Sequence, residues 1–218
     1  MIYSLSRSAR NQARLESRIL LADIIVRPFS DVDREVYNPA KNLTTATPSE
    51  QQGEQKMSID IATIPELLNF NRVMTLKLLD EIGELPDPAS ALGHRPGPQR
   101  AHIAWQIMHL GITEELFASQ RLRTTDSSLT EWFDLYQKGS TASDELPTID
   151  TIRSVLSESR KNLLDAISQI TEADLDTIPA GLSERGWTNQ MALQIVCWHE
   201  PHHQGQAHLL LNSWKSQQ

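Results

Sequence analysis

The sequence predicts an all-α protein, a four-helix bundle with crossover connections and short extra helices. Three observations favour this fold class. Four long segments carry apolar residues at spacings of three and four, which places one buried stripe on each helix. No segment alternates convincingly between apolar and polar residues, as a half-buried strand would. Two of the connections between the long segments are substantial, which is typical of bundles with crossovers.

The first long helix is predicted over about residues 64–83. Thr63 offers an N-cap, Pro65 lies in the first turn, and Gly83 marks the end. Residues 85–98 then hold several prolines and glycines, which exclude a continuous helix and predict a loop.

Three further long helices follow along the chain. They are predicted over about residues 99–121, 148–170 and 188–214. Two short extra turns are predicted between them, over residues 131–136 and after Thr171. The apolar stripe of the second helix consists of Trp105, Met108, Ile112 and Leu116.

Length and composition are those of a globular chain, with 218 residues of which 39% are hydrophobic and 22% charged. No apolar run approaches the roughly 20 residues that cross a bilayer, so we expect a soluble protein without a membrane partner. The single cysteine, Cys197, excludes an internal disulfide framework and favours the cytoplasm. The net charge of −8 repels phosphate backbones, so nucleic acid is not expected as a partner.

Residues 1–56 differ in character from the rest of the chain. Their last part, residues 38–56, is a polar tract rich in Thr, Ser, Gln and Glu. Three interpretations are open, namely a disordered or loosely docked extension, a targeting peptide, or upstream sequence included by a wrong start codon. The last is favoured, with Met57 as the true start. We therefore predict an N-terminal extension over 1–56, disordered or not native, and a helical-bundle domain over 57–218.

A cluster of histidines near the C-terminus is the strongest indication of function. Four of the seven histidines lie within residues 199–208. His199 and His203 are four residues apart, and on a helix this spacing rotates a side chain by about 40° and lifts it by about 6 Å. Both imidazoles can therefore reach one divalent metal ion.

A third ligand is expected from another helix, because neighbouring turns of one helix cannot surround an ion. His109 is the strongest candidate, since it lies on the buried stripe of the second helix. Three neutral imidazoles leave an open position for water or substrate, which is the arrangement of catalytic metal sites. The alternative is that His109, His199 and His203 are core histidines paired with backbone carbonyls.

Other polar residues near these histidines are candidates for supporting contacts. Glu114 and Glu115 follow His109 by about a turn and a half, and metal-bound imidazoles commonly donate their other N–H to a carboxylate. Gln206, in the helix of the histidine pair, is a third candidate. The alternative for the two glutamates is a solvated helix face. His102 is expected to line the pocket or merely to pack.

Residues 199–203 also fit the H-E-x-x-H pattern of zinc proteases, in which the glutamate, here Glu200, is the general base. Such enzymes need a third ligand after the motif, but only 15 residues remain after His203. Pro201 also interrupts the helix, because it lacks the amide that would bond the carbonyl of Cys197. A protease is therefore disfavoured, and a kink or π-bulge is predicted between the two ligands.

Two motifs together resemble the DinB-like superfamily, which includes the YfiT-type metalloenzymes. They are residues 95–109, which end in the predicted ligand, and residues 199–206. The resemblance covers about residues 60–214, and the chain departs from the family pattern at Pro201 and Gln204. It implies a four-helix bundle of DinB/YfiT type in which zinc, nickel or a similar ion is bound by His109, His199 and His203.

The resemblance also implies an activity, because characterised relatives are similar to thiol transferases. The predicted function is therefore a transferase in which a low-molecular-weight thiol binds the ion, loses its proton and attacks an electrophile. A metal-dependent hydrolase at the same site is the second hypothesis. A stress-induced metal-binding protein without catalysis is the third. Relatives are often similar to homodimers, so a homodimer is one expected state.

Overall fold

A computed structural model describes residues 60–218, so the predictions for residues 1–56 and for a start at Met57 lie outside the described residues. Within 60–218 every regular element is a helix, and the all-α class is confirmed. None of the described helices combines the length and the apolar character needed to cross a membrane.

The described chain forms six α-helices, and four of them are long. In chain order they are α1 (Ile64–Gly83), α2 (Pro88–Leu92), α3 (Ile103–Leu116), α4 (Phe133–Tyr136), α5 (Ile149–Ile167) and α6 (Asn189–Lys215). A π-helix continues α3 over Phe117–Leu122. Short 3-10 helices lie at Ile61–Thr63, Thr130–Trp132, Glu172–Asp174 and Ala180–Arg185.

The starts of the last two long helices agree with prediction because their caps are encoded locally. The Thr148 hydroxyl accepts from the N–H of Thr151 at 3.1 Å and begins α5. The Thr188 hydroxyl accepts from the N–H of Met191 at 3.3 Å and begins α6 in the same way. The first helix, α1, has the predicted bounds.

Other parts of the helical structure differ from the prediction, and α5 ends at Ile167 rather than near residue 170. The second long helix begins at Ile103 rather than near residue 99, because His102 is its N-cap. The Nδ1 of His102 accepts from the N–H of Trp105 at 2.9 Å, and its Nε2 donates to the carbonyl of Ser143 at 2.9 Å. The predicted loop over 85–98 contains the short helix α2, which the Asp87 carboxylate caps.

The prediction of a π-bulge at Pro201 is wrong, because α6 continues as an α-helix through this proline. The carbonyl of Cys197, which loses its helical partner there, instead accepts from the Nδ2 of Asn71 at 3.4 Å. A side chain of α1 thus replaces the missing backbone donor, and the two histidines flanking the proline stay on one helix.

Helix α3 lies at the centre of the packing and carries more than one buried stripe. All 14 of its residues are buried, with α5 and α6 packed against it. Gly111 allows the close approach of α5, because a Cβ at this position would lie 3.0 Å from Val155 Cγ1 and 3.3 Å from Ser159 Oγ. The polar side chains of α3 must therefore find partners inside the protein.

Four buried charged residues, which we call the ionic ring, join all four long helices. Arg72 of α1 contacts Glu114 of α3 and Glu200 of α6, each at 2.8 Å. Arg160 of α5 contacts Glu114 at 2.5 Å and also pairs with Glu200. All four residues are less than 9% exposed, so two positive and two negative charges balance in the core.

Backbone and hydroxyl groups complete the ionic ring. Arg72 donates to the carbonyl of Leu156, and Arg160 donates to the carbonyl of Leu68. The Thr75 hydroxyl donates to Glu200 Oε1 at 2.7 Å. Burial alone would lower the pKa of Arg72, but the two carboxylates raise that pKa above its ordinary value.

Gly181 is required where the 3-10 helix Ala180–Arg185 crosses the π-helix. A Cβ at this position would lie 1.9 Å from the carbonyl oxygen of Gln120 and 2.8 Å from the Cα of Arg121. Backbone atoms cannot rotate away, so Gly181→Ala is expected to lower the free energy of unfolding by at least about 2 kcal/mol. Urea unfolding of the full chain measures this change.

Gly205→Ala is the matched control for that experiment. It is the same substitution in the middle of α6, where a Cβ would meet nothing within 4 Å. A helical Gly→Ala change of this kind is expected to stabilise the protein by about 0.5–1 kcal/mol. A Gly181→Ala protein as stable as the wild type would contradict the steric argument.

Candidate metal centre

The structure brings the three predicted histidines together. His109 of α3 faces His199 and His203 of α6, and one nitrogen from each ring lies within 4.8 Å of the other two. The ring centroids are 4.5 to 5.0 Å apart. A tetrahedral zinc site with bonds of about 2.1 Å separates its ligand nitrogens by about 3.4 Å, so small side-chain rotations bring this trio to that spacing. The three residues could hold one metal ion.

Backbone and aromatic contacts fix the ring of His109. Its Nδ1 donates to the carbonyl of Tyr136 at 2.6 Å, which places the proton on Nδ1 because a carbonyl can only accept. The lone pair is therefore on Nε2, which is the nitrogen left to bind a metal ion. Trp105 stacks on the same ring, with centroids 4.6 Å apart and planes 12° from parallel. The Thr113 hydroxyl lies 3.5 Å from Nε2.

A glutamine of α3 orients the second imidazole. The Nδ1 of His203 donates to Gln106 Oε1 at 2.6 Å, which leaves its Nε2 as the free acceptor. Gln106 precedes His109 by three residues, so one face of α3 carries both a candidate ligand and the support of another. This pattern, an imidazole held through its second nitrogen, is common at metal sites.

Burial keeps the three imidazoles neutral. It lowers the pKa of His109 from 6.5 to about 4, and it lowers the pKa values of His199 and His203 well below 6.5. The neighbouring imidazoles add to these shifts, because a second positive charge beside the first is unfavourable. The neutral form is the one that binds metal, so little proton competition is expected at neutral pH.

The predicted supporting residues have other partners. Glu114 belongs to the ionic ring, and Glu115 accepts from Asn162 Nδ2 at 2.8 Å. These side chains are five and six residues beyond His109, so at 100° per residue they leave its face of the helix. The amide Nε2 of Gln206 contacts the Nε2 of His202 at 2.8 Å. Tyr136 and Gln106 hold the imidazoles instead.

The remaining histidines of the C-terminal cluster lie outside the trio. His202 stacks on Trp198 with centroids 4.4 Å apart, and His208 is exposed. Glu200, the base expected of a zinc protease, is turned into the ionic ring. Cys197 is not poised as a thiolate, because burial raises its pKa to about 11.

Sequence reasoning identified the histidine trio but missed the groups that orient it. The Gln106 amide could have been found, because it lies on the same helical face as His109. The carbonyl of Tyr136 leaves no sequence signal, since every residue offers the same backbone group.

A comparison with known proteins supports the assignment of the family. The sequence profile of the DinB superfamily matches residues 67–207, which is more than half of the chain and includes His109, His199 and His203. No curated protein and no solved structure matched the chain. The match covers both motifs that carried the resemblance, and the chain belongs to the DinB superfamily.

Proposed function

We propose that this chain is a divalent-metal-dependent S-transferase that joins a low-molecular-weight thiol to an electrophile. The observation that carries the proposal is the convergence of three neutral imidazoles within 4.8 Å, two of them oriented through their second nitrogens. The four long helices would form a four-helix bundle of the DinB type around this site. Zinc or nickel is the proposed ion, because both accept imidazole ligands.

A set of three protein ligands favours a catalytic metal site over a structural one. A structural zinc site is usually closed by four side chains, whereas a catalytic one keeps a position for substrate. When bound, the ion would act as a Lewis acid that lowers the pKa of a thiol beside it. No thiol of the described chain competes for that role, since Cys197 is protonated at neutral pH.

The residues around the trio hold its geometry. The Tyr136 carbonyl and the Trp105 ring fix His109, so the lone pair of its Nε2 points at one place. The Gln106 amide does the same for His203. Such rigid support is what keeps reacting groups in register during a transfer.

The proposed reaction balances without an oxidant or reductant. The thiol S–H bond breaks and its proton passes to solvent. The sulfur lone pair then forms a bond to an electrophilic carbon, and the leaving group departs with the electron pair of its former bond. The identity of the thiol, the cytoplasmic location and a homodimer stay predictions.

Cobalt substitution tests the proposal. The metal-free chain is loaded with Co²⁺ and titrated with small thiols, and an absorption band from sulfur-to-metal charge transfer is expected. Turnover of an electrophile by the loaded protein should then depend on the thiol. Ester or amide turnover without such a band would favour the hydrolase. If both the band and the turnover are absent, a protein that only binds metal would be favoured. Either result overturns the transferase.

A further inference from the structure

A polar cavity of about 450 Å³ lies between the π-helix Phe117–Leu122 and the 3-10 helix Ala180–Arg185. Two arginines line it, Arg121 from the π-helix and Arg185 from the 3-10 helix. The rest of the lining includes Gln120, Gln137, Ser183 and Glu184. The cavity thus carries two positive side chains and one negative one, together with several neutral hydrogen-bonding groups.

The two guanidinium groups are held by aromatic rings rather than by carboxylates. The Arg121 guanidinium lies 4.2 Å from the centroid of Phe117, and that of Arg185 lies 5.2 Å from the centroid of Trp187. Across residues 60–218, neither group makes a hydrogen bond or an ion pair. This contrasts with Arg72 in the ionic ring, which contacts two carboxylates.

In the described chain no carboxylate pairs with Arg121, so the charged form of this side chain is destabilised by burial. Burial, together with the like charge of Arg185, lowers the pKa of Arg121 to about 10. The group nevertheless remains a cation at neutral pH. Two neighbouring cations in a partly desolvated cavity are stabilised when an anion binds between them.

We propose that this cavity binds the anionic oxygens of a small substrate, a carboxylate or a phosphate group, between the Arg121 and Arg185 guanidinium groups. The planar guanidinium matches either anion with two parallel hydrogen bonds, which a lysine could not supply. The Phe117 and Trp187 rings contact the two guanidinium groups, which reduces the side-chain freedom that is lost on binding. Glu184 in the lining weakens the attraction but leaves a net positive charge.

Two lining residues of the cavity belong to the chain segments that position His109. Gln137 in its lining follows Tyr136, whose carbonyl orients His109. Leu116, also in the lining, is two helical turns beyond His109 on α3. A ligand anchored by its anion could therefore extend its other end to the metal, and in this respect the inference rests on the proposed function.

Calorimetric titration of the metal-free full chain tests the site without any activity. The probes are succinate for a carboxylate and inorganic phosphate for a phosphate group. Arg185→Gln is the main variant, because Arg185 is exposed and its loss leaves the core intact. We expect the dissociation constant of at least one probe to rise tenfold or more in Arg185→Gln and in Arg121→Gln.

Two matched variants control for a general loss of charge. Arg153→Gln removes an arginine that pairs with Asp80 on the surface, and it should leave the dissociation constant unchanged. Glu184→Gln removes the negative charge of the lining and should tighten binding. The inference is overturned if neither probe binds the wild type, or if Arg153→Gln weakens binding as much as Arg185→Gln does.

A second titration separates this inference from the proposed function. Cobalt-loaded protein is titrated with 3-mercaptopropionate and with its neutral amide, and the carboxylate should give the tighter binding in the wild type but not in Arg185→Gln. Arginine-dependent succinate binding without any sulfur-to-metal band would contradict the transferase and leave the anion site standing. If both thiols give the sulfur-to-metal band with equal affinity and succinate does not bind, the anion site is contradicted and the transferase stands.

Discussion

His199→Ala is expected to remove most of the bound metal from the purified protein, whereas His208→Ala retains it. His199 offers a nitrogen within 4.8 Å of those of His109 and His203, whereas His208 is exposed on the same helix. Removing one of three ligands should weaken metal affinity by more than the roughly 10–100-fold that loss of a supporting group costs. Elemental analysis after dialysis against a metal buffer measures the difference.

A graded variant sharpens this experiment. Gln106→Ala leaves all three imidazoles in place and removes only the acceptor that orients His203. Its metal affinity should fall by about 10–100-fold, between those of the other two variants. Equal metal content in His199→Ala and His208→Ala would contradict the ligand assignment. Circular dichroism of each variant checks that the helices are retained.

Glu200→Gln is expected to lower the free energy of unfolding of the metal-free protein by about 3–5 kcal/mol. Gln has nearly the shape of Glu, so the substitution removes charge rather than volume. It leaves Arg72 and Arg160 buried with only Glu114 to balance them, and the Thr75 hydroxyl loses a charged acceptor. Urea unfolding followed by circular dichroism gives the change.

Asp80→Asn is the matched control, since it neutralises the carboxylate that Arg153 contacts at the surface. Exposed pairs of this kind are screened by water and contribute little, so the control should unfold close to the wild type. If Glu200→Gln were no more destabilising than Asp80→Asn, the ionic ring would not be a major contributor to stability. Working without metal keeps the result independent of the neighbouring His199.

Local signals made much of the helical structure predictable. The hydroxyls of Thr148 and Thr188 each accept from an N–H three residues later. The starts of α5 and α6 are therefore determined by a few neighbouring residues. The start of α3 was missed because a histidine is an uncommon N-cap and His102 also needs the distant carbonyl of Ser143. The Cys197 carbonyl that Pro201 leaves without its helical donor is satisfied by Asn71, which is 126 residues from Cys197 in sequence.

In the candidate site, too, features within one helix could be predicted and contacts between helices could not. The spacing of His199 and His203 is a property of one helix, and it indicated a metal site before any fold was known. Glu114 was misplaced because its partners, Arg72 and Arg160, come from two other helices whose rotation the sequence does not specify. Long-range polar partners of this kind can be read only after the helices have been packed.

Glu200 lies between His199 and His203 in the sequence, and its contacts bear on how a metal ion would enter the candidate site. The arginines of α1 and α5 anchor this turn of α6 through buried ion pairs that involve none of the three histidines. A zinc finger, by contrast, is unfolded until its ion arrives. We therefore expect a chelator to empty the site while the ion pairs of Glu200 keep the tertiary structure, so that a different cation can be exchanged into the same three imidazoles.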